Sequence, residues 1–208
     1  MEEACYYFKE IQISEGFFDN IVDCCYILIM EGSERETDLV ERLSKYGYPC
    51  KNIMIQYNKG FKNCEKVLKE QKSNYDIIHA YNNAFTHAKE QKYNNVMILE
   101  DDFIFTEKIQ EPNVIKNIEN LFENMEVNLF NFGPIMFIYN PLFLIYSKYN
   151  CVKGFLVSSA HCCIYSKKFY NKFTEDYRLN IIKYKHFDLN FNSLFIDGIY
   201  TYNEPLCI

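Results

Sequence analysis

Short apolar runs separated by stretches of helical periodicity restrict this chain to a layered α/β fold. The clearest run is Cys24-Cys25-Tyr26-Ile27-Leu28-Ile29-Met30, apolar throughout and without alternation. That is the pattern of a strand covered on both faces. Ser33-Glu34-Arg35-Glu36 then reads as a capping box, followed by Leu39, Val40, Leu43 and Tyr46 at helical spacing and by Gly47 as a stop. A second strand is expected at 52–56, leading into the turn Asn58-Lys59-Gly60. Ser73 with Asp76 suggests another capping box, for a helix with Ile77, Ile78, Tyr81, Phe85 and Ala88 on one face. Val96-Met97-Ile98-Leu99 is a third strand. After Pro112, a helix carries Val114, Ile115, Ile118, Leu121, Phe122 and Met125, and a strand at 128–132 ends at Gly133-Pro134. This β-α-β-α-β-α-β order predicts a mostly parallel sheet with helices on both faces. Residues 1–22 read as an irregular or partly helical lead-in. Past the alternation, 154–165 reads as extended, 166–173 as a short helix, and the remainder as strand and loop. Neither a linker nor a repeat divides the chain, so 1–208 is taken as one domain.

The third strand ends in Glu100-Asp101-Asp102, just ahead of Phe103-Ile104-Phe105. Adjacent carboxylates repel, so such a cluster needs a compensating charge. Ligands in α/β sheets bind outside the carboxyl ends of the strands, where these acids fall. Oxygen donors suit Mg²⁺ or Mn²⁺, which use one or two carboxylates and complete their shells with water and substrate phosphate. The cluster therefore points to a metal-dependent enzyme acting on a phosphorylated nucleotide donor. Its plainer alternative is a solvated strand end. In an extended chain Glu100 and Asp102 project to one face and Asp101 to the other.

Several classes are disfavoured. Net charge is −6 and there is no basic stripe, which argues against a general nucleic-acid binder. There is no G-x-G-x-x-G, no G-x-x-x-x-G-K-[ST] and no G-x-S-x-G. The nine cysteines include no C-x-x-C and suggest mostly buried free thiols in a reducing compartment. No signal peptide is visible, and the longest apolar region, 135–146, is split by Asn140-Pro141 and too short for a bilayer. A soluble cytoplasmic protein without an integral membrane segment is expected.

Tyr26-Ile27-Leu28 with Glu34-Arg35, the helix around His79 to Ala88, and Ile98-Leu99-Glu100-Asp101-Asp102 together resemble glycosyltransferase family 25, the lipopolysaccharide and collagen sugar transferases. Residues 128–133, Ala160 to Lys168, Phe187-Asp188-Leu189 and Tyr202 to Leu206 are similar to later segments of that family. The resemblance spans most of 24–206, and its specific part is the Leu-Glu-Asp-Asp block. It implies a GT-A fold, a nucleotide-diphosphate sugar as donor and a divalent cation. It also implies transfer with inversion to a glycan, protein or lipid-linked acceptor. The nucleotide-binding part would be about 22–134 and the acceptor side about 135–208. On that view Asp102 ligates the metal, and Glu100 lies near the ribose or a metal-bound water. Asp101 completes the motif, and His161 is either a late metal ligand or a core histidine. Asp188 is the candidate base for the acceptor hydroxyl, with His186 second. From the strand ends, Glu31 would pass under the base, Tyr57 would stack on a pyrimidine, Asn58 would read its edge, and Asn83 would face the donor. A UDP-linked donor is the leading expectation. A nucleotidyltransferase and a non-catalytic relative serving as an interaction domain are the alternatives.

Overall fold

The computed structural model describes residues 4–134, 137–138, 149–154, 156–179 and 197–208. Asp188, His186 and the Asn140-Pro141 break lie outside the described residues. The strands are β1 (Tyr6–Gln12), β2 (Cys24–Met30), β3 (Asn52–Asn58), β4 (Asn95–Glu100), β5 (Leu129–Asn131), β6 (Phe137–Ile138), β7 (Cys151–Gly154), β8 (Leu156–Val157), β9 (Cys162–Ser166) and β10 (Ile199–Tyr202). The helices are α1 (Glu36–Lys45), α2 (Ser73–Glu90), α3 (Pro112–Asn124) and α4 (Lys167–Arg178), with a short 3-10 turn at Glu107–Gln110.

Eight strands form one sheet in the order β1-β3-β2-β4-β9-β5-β10-β7, and β6 pairs with β8 in a separate ribbon. The expectation of a mostly parallel sheet is corrected. Among the described residues only β2/β3, β2/β4 and β5/β10 pair in parallel, whereas β1/β3, β4/β9, β5/β9 and β7/β10 are antiparallel. The β-α alternation did give the direction of β2 through β5, which all point the same way. What it cannot encode is adjacency. β9, late in the chain, inserts between β4 and β5 and runs against both. The lead-in is also corrected: Tyr6 to Gln12 form an edge strand against β3.

The two faces of the sheet are sorted by the period of two along each strand. Cys25, Ile27, Ile29, Met97 and Leu99 pack with α1 and α3 residues such as Leu39, Leu43, Ile118 and Leu121. Cys24, Tyr26, Leu28, Val96 and Ile98 pack with α2 and α4 through Tyr81, Phe85, Phe169 and Phe173. The second core gathers many of the aromatic side chains of a sequence that is 17% aromatic. Phe85 has the rings of Tyr165, Phe169, Tyr170 and Phe173 at centroid distances of 5.2, 6.1, 6.1 and 5.3 Å. Such pairs add about 0.5–1.5 kcal/mol each beyond area burial.

Neither expected capping box forms. The α1 N-cap is Arg35 and the α2 N-cap is Lys72, both without a side-chain cap. Ser33 and Asp76 are engaged elsewhere: Ser33 donates to Asp101, and Asp76 pairs with buried Lys66 at 2.5 Å. The capped helix is α4, where Ser166 Oγ accepts from the Phe169 amide. Val40, expected on the apolar face of α1, is 52% exposed, since Leu39 and Leu43 already fill that contact. Cys5 and Cys64 form a disulfide, and the seven other cysteines are free and buried. Among the described residues no helix is long and apolar enough to cross a membrane.

Candidate functional site

The carboxyl ends of β2, β3 and β4 lie side by side, with Met30 paired to Asn58 and Leu28 to Glu100. Regular pairing stops at Glu100, and the chain turns as the Phe103 amide donates to the Glu100 carbonyl at 3.1 Å. The three acids therefore emerge at the parallel edge of the sheet but do not share one environment.

Glu100 continues the α2-facing row of β4. It is largely buried, and Tyr81 of α2 donates to its Oε1 at 2.8 Å. Its backbone amide donates to the His161 carbonyl at 2.8 Å. Burial raises the Glu100 carboxyl pKa, and the Tyr81 hydroxyl pulls against that shift. Asp101 turns to the α1 side, where Arg35 Nη1 donates to Oδ1 at 2.7 Å and Ser33 Oγ to Oδ2 at 3.3 Å. Arg42, two turns beyond Arg35, donates from Nη1 to the Asp101 carbonyl at 2.8 Å. Asp102 is the exposed member. Its side chain is 55% accessible, and Arg35 Nη1 lies 4.0 Å from Oδ2.

His161 sits behind this turn. Its Nδ1 meets the Ser159 hydroxyl. Its Nε2 is buried beside Gly133 and Cys207 without a hydrogen bond of normal geometry. Proximity to the Cys207 thiol raises the imidazole pKa, a close approach rather than a formed bond. The Cys207 thiol is in turn pushed down to about 6, chiefly by Cys162 and then by His161. The Cys207 segment is held in place where Ile208 and Ile104 exchange backbone hydrogen bonds and the Thr106 amide donates to the Leu206 carbonyl.

The residues expected to hold a metal thus do not converge. Glu100 is turned to Tyr81, His161 faces Cys207, and Asp102 stands free of both. Among the described residues no three His, Cys, Asp or Glu side chains are grouped to enclose an ion. Of the three clustered acids, Asp102 is the one whose carboxylate is exposed. That fits a cation whose remaining positions are filled by water and phosphate oxygens.

The expected nucleotide contacts are divided by the sheet. Glu31 and Tyr57 lie on the α1 side with Asp101. Asn58 and Asn83 lie on the α2 side with Glu100. Glu31 is exposed, and its amide donates to the Asn58 carbonyl at 3.0 Å. The Tyr57 face is covered by Tyr7, with centroids 4.7 Å apart, and its hydroxyl donates to Glu36 Oε1 at 2.6 Å. The ring open to solvent in that stack is Tyr7, 41% exposed. Asn58 is buried, and Lys66 Nζ donates to its Oδ1. Asn83 donates to Gln56 Oε1 at 3.0 Å and so fastens α2 to β3. Placing Tyr57 and Asn58 in one base-reading pair overlooked the period of two, which sends neighbours to opposite faces.

Sequence reading missed Arg42, Tyr81 and Tyr7. Arg42 had a signal, because its seven-residue offset from Arg35 puts both on one helical face. Tyr81 read only as an apolar helix position. Tyr7 lay in a segment not taken for a strand.

No family model matches the sequence, and no curated protein matches it. Among solved structures, A197 from STIV aligns at 13% identity over 88% of this chain and 82% of its own, with a TM-score of 0.49. A glycosyltransferase involved in glycosylation of the major capsid of PBCV-1 aligns at 12% identity over 86% of this chain and 82% of its own, with a TM-score of 0.48. At this level of likeness nothing about activity follows from either.

Proposed function

We propose that this protein is a glycosyltransferase that moves a sugar from a nucleotide-diphosphate donor, UDP-linked in the leading case, to an acceptor hydroxyl. The observation that carries the reading is Asp102. It is an exposed carboxylate at the carboxyl end of a parallel strand, beside an arginine already braced by Asp101.

The donor diphosphate would lie over the ends of β2 and β4 on the α1 side. Asp102 would hold a Mn²⁺ or Mg²⁺ there, and such an ion stabilises charge on a departing diphosphate. Arg35 has its guanidinium fixed on Asp101 at 2.7 Å while its side chain stays 55% exposed, so it presents donors to a phosphate without losing its anchor. Arg42 grips the Asp101 and Phe103 carbonyls and keeps the turn from shifting under load. Charged donors fixed before the reaction stabilise developing charge at little reorganisation cost. Tyr7 supplies the exposed ring against which a base stacks. Asp188 is proposed to take the acceptor proton, with His186 next. A nucleotidyltransferase would bring a Gly-rich, Arg- or Lys-bearing loop after such a strand. Here β2 runs into Met30-Glu31-Gly32-Ser33, with one glycine and no lysine.

The reading is tested by incubating the protein with a panel of nucleotide sugars, Mn²⁺ and mixed acceptors, and measuring nucleotide-diphosphate release. Release from one donor class is expected, and it should disappear in Asp188→Asn while donor binding persists. An inert panel that also fails to bind would overturn the reading. Full activity in Asp188→Asn would reassign the base.

A further inference from the structure

A second feature at the same edge of the sheet lies on the opposite face. α2 starts after β3, at the carboxyl edge. α4 starts at the far edge, where the Lys167 amide donates to the Asn94 carbonyl at 2.6 Å, and it ends at Arg178 on the carboxyl edge. Between the first turns of α2, the end of α4 and the segment after Lys66 lies a groove of about 590 Å³.

Its composition is unlike that of the chain. The protein carries a net −6, yet the described lining holds Lys69 and Arg178 and no carboxylate, and the neighbouring Glu70, which accepts from the Tyr75 hydroxyl at 3.3 Å, is paired with Lys72 at 2.5 Å. Tyr75, Tyr177 and His79 supply rings, and Val67, 93% exposed, supplies an apolar lip. The rings are held in place. His79 stacks on Tyr6 at 5.4 Å, with the Tyr6 hydroxyl 2.6 Å from Nδ1, and its edge contact with Tyr177 is at 6.0 Å. Burial and nearby Lys66 lower the His79 pKa, and burial keeps the Tyr6 phenol protonated. A neutral imidazole and a protonated phenol share one hydrogen bond across that contact, and Nε2 is the ring nitrogen left outside it. The segment that forms the lip is anchored from below, because Lys66 is buried on Asp76 and lies 4.5 Å above the Tyr6 ring. Aromatic faces with hydrogen-bond donors suit the C–H faces and hydroxyls of a sugar ring. Two cations in a groove whose neighbouring acid is already paired with Lys72 suit a carboxylate.

We propose that this groove binds an acidic saccharide, a sugar ring on Tyr75 and Tyr177 with its carboxylate on Lys69 and Arg178, and that it is the acceptor subsite. Only the second clause rests on the glycosyltransferase reading.

The test is calorimetric titration of the whole protein, without nucleotide or metal, using trigalacturonate and neutral maltotriose as probes. Trigalacturonate should bind, weaken as salt is raised, and exceed maltotriose by at least about tenfold. The double substitution Lys69→Ala/Arg178→Ala alters exposed side chains and should leave the melting temperature unchanged. It should weaken trigalacturonate binding about tenfold. Asp102→Asn should bind it as the wild type does. Equal affinity for the two saccharides, or unchanged binding in the double variant, overturns the proposal. So does UDP binding that survives Asp102→Asn and is lost in the double variant, because the groove would then be a nucleotide site. Trigalacturonate binding without any transfer activity would leave the groove assigned and sink the glycosyltransferase reading. Transfer to an acceptor that still proceeds in the double variant would do the reverse.

Discussion

Tyr81→Phe isolates the contact that positions the first acid. The Tyr81 hydroxyl has one proton, and both Glu100 Oε1 at 2.8 Å and the Ala160 carbonyl at 2.9 Å are within its reach. Ala160 is 7% exposed and Glu100 largely buried, so water does not readily replace the lost partner. A buried acceptor left without a partner costs about 1–3 kcal/mol. The phenylalanine ring retains the packing of Tyr81 against Phe85 and Tyr165, so no cavity penalty is added. Two weakened acceptors give about 2–4 kcal/mol, with the lower end applying if Glu100 turns toward solvent. In a chain of this size that is a fall of roughly 4–16 °C in melting temperature. The assay is urea denaturation at pH 7 and again near pH 4.5. Burial holds the Glu100 pKa above its ordinary value, so the carboxyl is more often neutral at acid pH and loses less when the hydroxyl goes. The cost should therefore shrink as pH falls. A cost under about 0.5 kcal/mol at pH 7, within the range of surface substitutions, would refute the placement of Glu100 against Tyr81. So would additivity with Glu100→Gln in a double-mutant cycle, since residues in contact couple.

Glu100→Gln should itself gain stability relative to the wild type as pH rises, because a carboxyl with a raised folded-state pKa contributes fully in acid and loses that contribution through its titration. Thermal melts across pH 4–8 read this, and parallel curves for the two proteins would contradict it. Lys66→Met removes the partner of buried Asp76 and should cost about 3–5 kcal/mol, with much of that recovered in Lys66→Met/Asp76→Leu. Equal stability of the two variants in urea would show the pair to be unimportant. Arg35→Ala should cost about 0–1 kcal/mol, since its pair with Asp101 is exposed. It should nonetheless weaken nucleotide-diphosphate binding measurably in a calorimetric titration with UDP and Mn²⁺, and unchanged binding would remove Arg35 from the donor site.

Much of the fold was legible because its signals are local. The apolar run 24–30, the helices around Leu39 and Phe85, and the strand into Glu100 are each specified within a few residues by burial period and a stop. Pairing across the sheet was not, because β9 reaches its place between β4 and β5 through partners more than sixty residues away in β4 and more than thirty away in β5. The edge strand β1 was illegible for a different reason. Its burial follows no clean alternation, with Tyr6, Phe8 and Ile11 half-buried among exposed neighbours. At the site, the acid cluster was visible as a strand end, but the division of labour within it was not. That division depends on Tyr81 from one face and Arg35 with Arg42 from the other, and no spacing rule links those residues to position 100.

The most direct measurement is thermal denaturation with UDP, with and without Mn²⁺, on the wild type and on Asp102→Asn. Seating the donor diphosphate through an ion on Asp102 predicts Mn²⁺-dependent stabilisation of the wild type, about 2.7 kcal/mol at a hundredfold excess over the dissociation constant. It also predicts that Asp102→Asn melts normally on its own and gains nothing from the pair of ligands. Equal stabilisation of both proteins, or none in the wild type at saturating UDP and Mn²⁺, would contradict it.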